Sequence, residues 1–462
     1  MPLTPAVLRE FERILGRARV LTAPEELTVY AYDATWAHQR PDAVLTFQET
    51  AEVAQVLAVC HRERIAVVPR GGATGLAGGA VPSAGSISLN LAPMNKILEI
   101  NPRDMYAVVQ PGVVNADLQR AVEPHGLFYP PDPASWLMST IGGNVAMNAG
   151  GPRALKYGVT AAYVMALEVV LASGEVMRTG SRTLKNVTGY NLTQLIVGSE
   201  GTLGVITEIT LRLLRKPPAQ GTVMAVFDQL EAAAECVVEL LQAGVTPLTT
   251  ELMDRTTLQV AQAAFPHLAL PIEAAAVLLI DVDGDEAAVE REAARVAEVA
   301  SRTGARAVQR AADAAEAATL WAGRRAVGGA LTRLKPNYYA EDIVVPRSAI
   351  PEMARRVRQI AEQYNLLLPL FGHIGDGNLH PTIMCDRRNA DEMRRVEAAA
   401  EAIVESAIEL GGVLTGEHGV GLLKRDYLPL DLNPVEIASM RRIKQALDPH
   451  NILNPGKLFP PE

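Results

Sequence analysis

Residues 67–82 read VVPRGGATGLAGGAVP, and this stretch decides how the N-terminal half of the chain is interpreted. It begins with a β-branched run that is typical of a strand. Five glycines follow within nine residues: Gly71, Gly72, Gly75, Gly78 and Gly79. Glycines at this density let backbone N–H groups point inward without obstruction by Cβ atoms, which suits a pyrophosphate. A dinucleotide fingerprint of the βαβ type is excluded because Val81-Pro82 follows where that motif requires a helix. A tight structural turn is the alternative interpretation.

Two further loops in the same half repeat this composition. Residues 130–158, PPDPASWLMSTIGGNVAMNAGGPRALKYG, concentrate Gly, Asn, Ser and Thr in a stretch that is poor in regular patterns. Residues 198–211, GSEGTLGVITEITL, again place glycines before a strand. Long irregular loops inside compact domains are usually functional. Three such loops in one half predict a large, extended and polar ligand.

The two parts of the chain differ in pattern. Before the Pro217-Pro218 boundary we predict strands at 43–47, 64–69, 86–90 and 106–112, and helices at 50–63 and 114–125. Beyond it, apolar strands alternate with amphipathic helices, which predicts an α+β domain with an antiparallel sheet and helices on one face. The expected division is 1–217, 218–415 and a C-terminal segment, 416–462.

Composition excludes several classes of protein. The 462 residues carry 52 acidic and 43 basic side chains, a net charge of −9, and no basic arm, so nucleic acid is not an expected partner. Cys60, Cys236 and Cys385 lie far apart, which excludes a CxxC-based iron–sulfur or zinc site and a disulfide framework. The N-terminus reads as an amphipathic helix rather than a signal peptide, and no apolar run reaches the length of a membrane span. We therefore expect a cytoplasmic protein, or one that is peripheral to a membrane through a partner.

The segment FGHIGDGNLH, residues 371–380, predicts a β-hairpin that turns at Asp376-Gly377. A two-residue turn there would place His373 directly opposite His380, with Cβ atoms roughly 4.5–5.5 Å apart. Two imidazoles at that separation can bind one metal ion. A cross-strand ring pair without a metal is the alternative.

The segment TGEHGVG, residues 415–421, adds Glu417 and His418. Glu417 is a candidate for a third, anionic metal ligand that would leave coordination positions open for a substrate. Because neighbouring side chains on an extended segment point in opposite directions, His418 is instead a candidate general base. A glycine-flanked turn with two solvated side chains is the alternative.

These motifs resemble the FAD-linked oxidases, the family of the glycolate oxidase flavin subunit and the D-lactate and D-2-hydroxyglutarate dehydrogenases. The three glycine loops resemble the FAD domain of the wider vanillyl-alcohol oxidase / p-cresol methylhydroxylase (PCMH) superfamily. The resemblance covers residues 40–460 and implies a two-part PCMH-type FAD-binding domain with an α+β substrate domain. It assigns the following residues to FAD: Pro69, Arg70, Gly71, Gly72, Ala73, Thr74, Gly75, Leu76, Asp132, Ser135, Thr140, Gly142, Gly143, Asn144, Asn148, Gly150, Gly151, Gly201, Ile206 and Asn454. No histidine occupies the first loop, so we expect non-covalent FAD.

The resemblance also implies a chemistry. His373, His380 and Glu417 would bind a divalent metal, zinc or manganese, and His418 would be the base. At the WAGR stretch Arg324 would hold the substrate carboxylate, with Arg325 as the close rival. Members specific for 2-hydroxyglutarate carry a Thr, a Lys and an Asn where this chain has Gly328, residues 338–340 and Thr382. We therefore expect a short D-2-hydroxy acid such as lactate or glycolate, oxidised to the 2-oxo acid.

Alternatives and partners remain open from sequence. The same fold supports a non-redox FAD enzyme of the alkyl-dihydroxyacetone-phosphate synthase type or a non-catalytic FAD subunit, and a metal-dependent hydrolase is a third possibility. Electrons from a reduced flavin would leave to a separate acceptor: oxygen, a quinone, a cytochrome, an electron-transfer flavoprotein or an iron–sulfur partner subunit. A homodimer is compatible with the sequence.

Overall fold

The computed structural model describes residues 3–461. Its strands are β1 Val20–Leu21, β2 Ala43–Thr46, β3 Val67–Arg70, β4 Ile87–Asn90, β5 Ile97–Asn101, β6 Tyr106–Val109, β7 Leu127–Phe128, β8 Val164–Val170, β9 Val176–Gly180, β10 Val205–Arg212, β11 Leu214–Arg215, β12 Ala219–Phe227, β13 Thr249–Asp254, β14 Ala276–Gly284, β15 Ala305–Arg310, β16 Asn337–Ala340, β17 Ile343–Val344, β18 Leu370–His373 and β19 Asn378–Cys385. Its helices are α1 Pro5–Leu15, α2 Pro24–Thr28, α3 Thr50–Glu63, α4 Asn115–Val122, α5 Ile141–Met147, α6 Ala154–Tyr157, α7 Leu192–Ile196, α8 Leu230–Gln242, α9 Arg255–Ala264, α10 Glu286–Arg302, α11 Ala314–Leu331, α12 Ile350–Gln363, α13 Ala390–Glu409, α14 Leu428–Asp431 and α15 Pro434–Leu447. Within residues 3–461, no helix is both long enough and apolar enough to cross a membrane.

The chain forms two compact units. Unit 1 contains the N-terminal residues up to Gly151, then Gly158–Lys216 and the C-terminal part from Glu417. Unit 2 contains Pro152–Tyr157 and Pro217–Gly416. The C-terminal part packs with unit 1 because its backbone bonds to the strand that precedes the first glycine loop. The Val67 N–H donates to the Ile452 carbonyl at 2.8 Å, and the Asn454 N–H donates to the Val67 carbonyl at 2.8 Å.

Unit 1 is built on two principal sheets. A four-stranded sheet has the order β1-β2-β4-β3, with β2, β4 and β3 parallel, and a five-stranded antiparallel sheet has the order β5-β6-β10-β8-β9. The predicted strands at 43–47, 64–69, 86–90 and 106–112 and the helix at 50–63 are confirmed as β2, β3, β4, β6 and α3, and the strands differ from prediction at their ends. The fully buried side chains of Phe11, Phe47 and Leu57 pack the helices onto the first sheet.

Unit 2 is an antiparallel sheet in the order β15-β12-β14-β13-β18-β19-β16, with β17 paired to β19. The α+β class is confirmed, but helices pack on both faces of this sheet rather than on the one face predicted. Val226 of β12 lies in one core with Leu258 of α9 and Val327 of α11. Gly221, five residues earlier on β12, faces the opposite side, where an added Cβ would lie 2.9 Å from Val289 Cγ1 of α10. The long alternating apolar strands are therefore covered on both sides.

Candidate active site

A cavity in unit 1 is lined by all three glycine loops. From the predicted cofactor residues it collects Pro69, Gly71, Gly72, Ala73, Thr74, Gly75, Leu76, Ser135, Thr140, Gly143, Asn144, Gly150 and Gly201. An adjoining smaller cavity shares several of these residues and adds Arg70, Gly142 and Ile206. The larger cavity is also lined by Ser139, Met147 and Glu200, which the sequence did not single out. The structure thus brings most of the predicted loop positions to one place.

The polar atoms of this cavity fit a ligand such as FAD. Among the residues that the structure describes, the Asn144 side-chain amide nitrogen and the Ser139 hydroxyl are buried without a hydrogen-bond partner. Buried polar groups are normally paired, so these two atoms favour a polar ligand in the cavity. Gly72 lies so close to the second loop that an added Cβ would be 2.7 Å from the Met138 carbonyl oxygen, whereas Gly75 faces open space. The backbone there is bare enough for a pyrophosphate to approach it closely.

Four predicted cofactor residues lie outside both cavity linings: Asp132, Asn148, Gly151 and Asn454. Each of them makes other contacts in the structure. Asn148 ends α5 in the left-handed conformation, and its side-chain oxygen accepts a hydrogen bond from the Ala161 N–H at 2.8 Å. Gly151 packs on the backbone of Asp132, where an added Cβ would be 2.5 Å from the Asp132 carbonyl oxygen. Asn454 donates its side-chain amide to the carbonyls of Gly79 at 3.0 Å and Glu200 at 2.7 Å, which ties the first and third loops together.

Glu417 and His418 line the same cavity as the glycine loops. Both side chains are partly exposed. Gly150 of the second glycine loop leaves room for Glu417 because it has no side chain. An added Cβ at Gly150 would lie 3.0 Å from a Glu417 carboxylate oxygen. A carboxylate and an imidazole therefore lie beside the cradle that the loops form.

In unit 2, the predicted pairing of His373 opposite His380 is wrong by two residues. The structure pairs Phe371 with His380, and a 3-10 turn, Ile374–Asp376, replaces the two-residue turn. Residues 374–376 therefore belong to the turn, and Asn378 and Leu379 at the start of β19 pair with Val344 and Ile343 of β17. Because His373 is two residues from Phe371 on the same strand, the two histidines are nevertheless diagonal neighbours on one face. Their ring centroids lie 5.1 Å apart.

Each of these histidines has a buried carboxylate at its Nδ1 atom, and neither carboxylate was predicted from sequence. Glu251 of β13 pairs directly with His373, and its Oε1 atom lies 2.5 Å from His373 Nδ1. Asp342 places Oδ1 3.6 Å from His380 Nδ1. It also accepts hydrogen bonds from Asn378 Nδ2 at 2.7 Å and from the Thr415 hydroxyl at 2.7 Å, so its position is well defined.

The charge of Glu251 follows from its neighbours. Burial, the largest influence, would raise the pKa of Glu251, but the nearby charges of His373 and Arg324 lower it, and the net shift is downward. A carboxylate that bonds to Nδ1 fixes the imidazole tautomer and leaves Nε2 as the nitrogen that can bind a metal. The sequence did not single out Glu251, because β13 reads TTELMD and mixes polar with apolar residues.

Arg324 projects from α11 onto the same face. Its Nε atom donates to Glu251 Oε2 at 2.8 Å, and its guanidinium lies 5.1 Å from the ring centroid of Phe371. The side chain of Arg324 is 17% exposed. Its rival Arg325 is exposed and donates to the Ala318 carbonyl at 2.5 Å. Unit 2 thus carries an ordered set of Arg324, Glu251 and His373, with His380 beside it.

Comparisons with known proteins show which family models and proteins this chain is similar to. The family model described as "FAD linked oxidases, C-terminal domain" matches residues 216–458, and that described as "FAD binding domain" matches residues 41–180. The chain is 48% identical to the glycolate oxidase subunit GlcD of Bacillus subtilis (strain 168) over 93% of this chain and 92% of that protein. It is 35% identical to the D-lactate dehydrogenase of Anaerostipes hadrus over 99% of this chain and 98% of that protein.

A solved structure of p-cresol methylhydroxylase with substrate bound is also similar, with a TM-score of 0.82. The match covers 98% of this chain and 96% of that chain at 21% identity. At that identity the likeness concerns the fold alone, and the expected PCMH-type architecture is confirmed.

Proposed function

Because the chain belongs to the family of FAD-linked oxidases, we propose that it uses FAD to oxidise a small 2-hydroxy acid to the corresponding 2-oxo acid. The observation that carries this proposal is the cavity of unit 1, where the three glycine loops lie beside Glu417 and His418. The cavity therefore combines a binding site for a dinucleotide with two side chains, Glu417 and His418, that can take part in catalysis. A binding module would need only the first of these.

The residues of this chain supply the groups that alcohol oxidation requires. His418 accepts the proton of the substrate hydroxyl as a general base. Because the Nε atom of Arg324 donates to Glu251, its two terminal guanidinium nitrogens bind the substrate carboxylate in the bidentate manner that arginine favours. FAD, which the three glycine loops would hold, would supply the two-electron acceptor for the hydride that leaves C2 as the C–O bond becomes a carbonyl.

A divalent metal, zinc or manganese, is the second group that we propose. His373 and His380 would hold it, with Glu417 as the third ligand that the sequence motif implies. The hydrogen bond between Glu251 and His373 Nδ1 supports this assignment, since metal-binding histidines usually carry such a partner, and Asp342 lies 3.6 Å from His380 Nδ1. A metal there would lower the pKa of the substrate hydroxyl.

The substrate is proposed to be a short D-monocarboxylate such as lactate or glycolate. Lys335 follows α11, the helix that carries Arg324, and it donates to Glu392 at 2.8 Å. Thr382 is buried and directs its hydroxyl to the His380 carbonyl at 3.3 Å. Both side chains are already engaged in these contacts, and neither is positioned to bind a second substrate carboxylate. A short acid is therefore favoured over 2-hydroxyglutarate.

The electron acceptor is proposed to be a separate partner: an iron–sulfur subunit, a quinone or an electron-transfer flavoprotein. The relatives named as subunits of glycolate oxidase favour a partner subunit. We further propose that the protein acts in the cytoplasm, or at a membrane surface through that partner, and that the FAD is bound non-covalently.

The test is an anaerobic titration of the purified protein with a panel of D- and L-2-hydroxy acids, followed at the flavin absorbance band. We expect at least one D-acid to bleach the flavin. His418→Ala should reduce the rate of bleaching by about 100-fold or more, the scale of a lost general base. His380→Ala should also reduce the rate, because it removes a proposed metal ligand. Arg325→Ala is the matched control for Arg324→Ala and should change the rate little. Normal bleaching in both histidine variants would contradict the assigned roles.

A further inference from the structure

The turn that carries Glu417 and His418 is held by a single buried side chain of the third glycine loop, Glu200. One oxygen of its carboxylate accepts the Val420 N–H at 2.7 Å, and the other accepts the Gly421 N–H at 2.8 Å. The side chain spans more than 200 residues of sequence to make these two bonds. Glu200 is 5% exposed, so water does not compete freely for its oxygens.

Glu200 is itself fixed at its backbone. It occupies the left-handed region at φ 55°, its N–H donates to the Ala146 carbonyl at 2.8 Å, and its carbonyl accepts the Asn454 side-chain amide at 2.7 Å. The first of these bonds ties it to α5 of the second loop. The second ties it to the C-terminal segment. The carboxylate is therefore a rigid anchor whose position is set by the same loops that line the cavity.

The turn is shaped to meet this anchor. Gly419 has φ 87°, and a Cβ added to it would lie 3.0 Å from the nearer Glu200 carboxylate oxygen. Gly421 has φ 51°, and its Cβ would lie 2.0 Å from the Ala77 carbonyl oxygen of the first loop. That carbonyl accepts the Leu422 N–H at 2.7 Å. Two loops of the cradle therefore hold the residues that directly follow His418.

We propose that Glu200 is a positioning residue: its carboxylate fixes the turn after His418, and thereby sets where Glu417 and His418 lie in the cavity. The catalytic consequence rests on the function proposed above. Misplacement of a reacting group by about 1 Å can cost about 100-fold in rate, so loss of two anchoring bonds should be visible in the chemical step. Glu200 touches no reacting atom in this account.

The test compares Glu200→Ala and Glu200→Gln with a matched control in the same loop, Thr202→Val. Thr202 is 2% exposed, and its hydroxyl donates to the Ser199 carbonyl at 2.7 Å, so this variant loses a buried hydrogen bond of the loop without touching the turn. Glutamine offers one carbonyl oxygen in place of two carboxylate oxygens and can keep one of the two bonds. Its effect should be intermediate.

Three measurements separate positioning from general stability. The first is hydrogen exchange of the segment 417–423 in the FAD-bound protein, which should accelerate in Glu200→Ala, less in Glu200→Gln, and not in Thr202→Val. The second is FAD binding to the apoprotein by flavin fluorescence, which shows whether a lost rate comes from lost cofactor. The third is the rate of flavin reduction at saturating hydroxy acid, which should fall by up to about 100-fold in Glu200→Ala, less in Glu200→Gln, and little in Thr202→Val.

Unchanged exchange in Glu200→Ala would overturn the proposal, as would a loss of reduction rate in Thr202→Val that equals the loss in Glu200→Ala. If Glu200→Ala does not retain FAD, Glu200→Gln decides by the same two criteria. If the wild-type flavin is reduced by no hydroxy acid, the proposed function falls. The exchange measurement then still decides whether Glu200 holds the turn.

Discussion

At the scale of single residues, buried carboxylates orient the other side chains of the proposed site. Glu251 contacts both His373 and Arg324, and Asp342 lies beside His380. These residues bind nothing themselves in the proposed reaction. In the proposed site, their part is to fix which imidazole nitrogen would face a metal and where the guanidinium points.

Replacing Glu251 by glutamine should therefore weaken the metal site and the grip on the substrate together. The amide can accept only one of the two hydrogen bonds, so His373 loses its fixed tautomer or Arg324 loses its anchor. We expect the affinity for Mn²⁺ or Zn²⁺ to fall about 10–100-fold, the range for lost partners of metal-binding histidines. Calorimetric titration of chelator-treated protein measures this.

A matched control lies on the same strand. Asp254→Asn also neutralises a buried carboxylate of β13, but Asp254 bonds to Thr257 rather than to a histidine or an arginine. This variant should bind the metal as the wild type does. Equal affinities in the wild type, Glu251→Gln and Asp254→Asn would remove Glu251 from the account.

The sequence predicted the residues whose role is local and missed those whose role is set by distant pairing. The glycine loops and the Glu417-His418 pair could be identified because short motifs constrain the backbone around them. Glu251 lies 122 residues from His373, and only the register of β13 against β18 brings them together. Glu200 lies in the third glycine loop, but the neighbouring sequence does not predict that its carboxylate accepts hydrogen bonds from Val420 and Gly421.

At the scale of elements, the start of α9 contains a pH-dependent contribution to stability. Asp254 is the N-cap, and its side chain accepts the Thr257 N–H at 2.8 Å. Burial is the largest influence and raises the pKa of Asp254 to about 6, even though the bonds from Thr257 lower it. The native protein therefore binds this proton more tightly than the unfolded chain does. Its contribution to the free energy of unfolding should fall as pH rises from about 4 to about 6.

Asp254→Asn should remove that dependence, because asparagine keeps the cap acceptor and cannot ionise. The difference in unfolding free energy, variant minus wild type, should rise by up to about 3 kcal/mol between pH 4 and pH 7, from 1.36 kcal/mol per pKa unit. Urea unfolding at several pH values measures it. A difference that stays constant with pH would show that Asp254 is ionised alike in both states.

The β18–β19 hairpin differs from the hairpin that its local sequence predicts. Asp376-Gly377 is a strong signal for a two-residue turn, but it describes only the local chain. In the structure a 3-10 turn, Ile374–Asp376, precedes Gly377, and the strands pair Phe371 with His380 instead of His373 with His380. Gly377 still adopts a left-handed conformation, at φ 86°, as the turn signal requires. The local signal therefore predicted the place of the glycine but not the register of the strands.

At the scale of the whole molecule, the proposed function gives the glycine loops, the carboxylate–histidine pairs and Arg324 one common purpose. In that proposal all of them serve the transfer of two electrons from the C2 carbon of a hydroxy acid. The fold class and the PCMH-type FAD-binding domain were predictable because their motifs are dense and ordered along the chain. The helices on the second face of the unit 2 sheet were not, since each amphipathic helix only indicates that it packs on some apolar surface.

The most direct test of the central claim is rapid anaerobic mixing of the holoenzyme with D-lactate and with D-lactate deuterated at C2, with flavin absorbance as the signal. The account predicts that the flavin bleaches and that deuterium slows the bleaching, because the C2–H bond breaks as the flavin is reduced. Glycolate and its deuterated form give the parallel comparison. A flavin that stays oxidised with every acid of the panel would contradict the account.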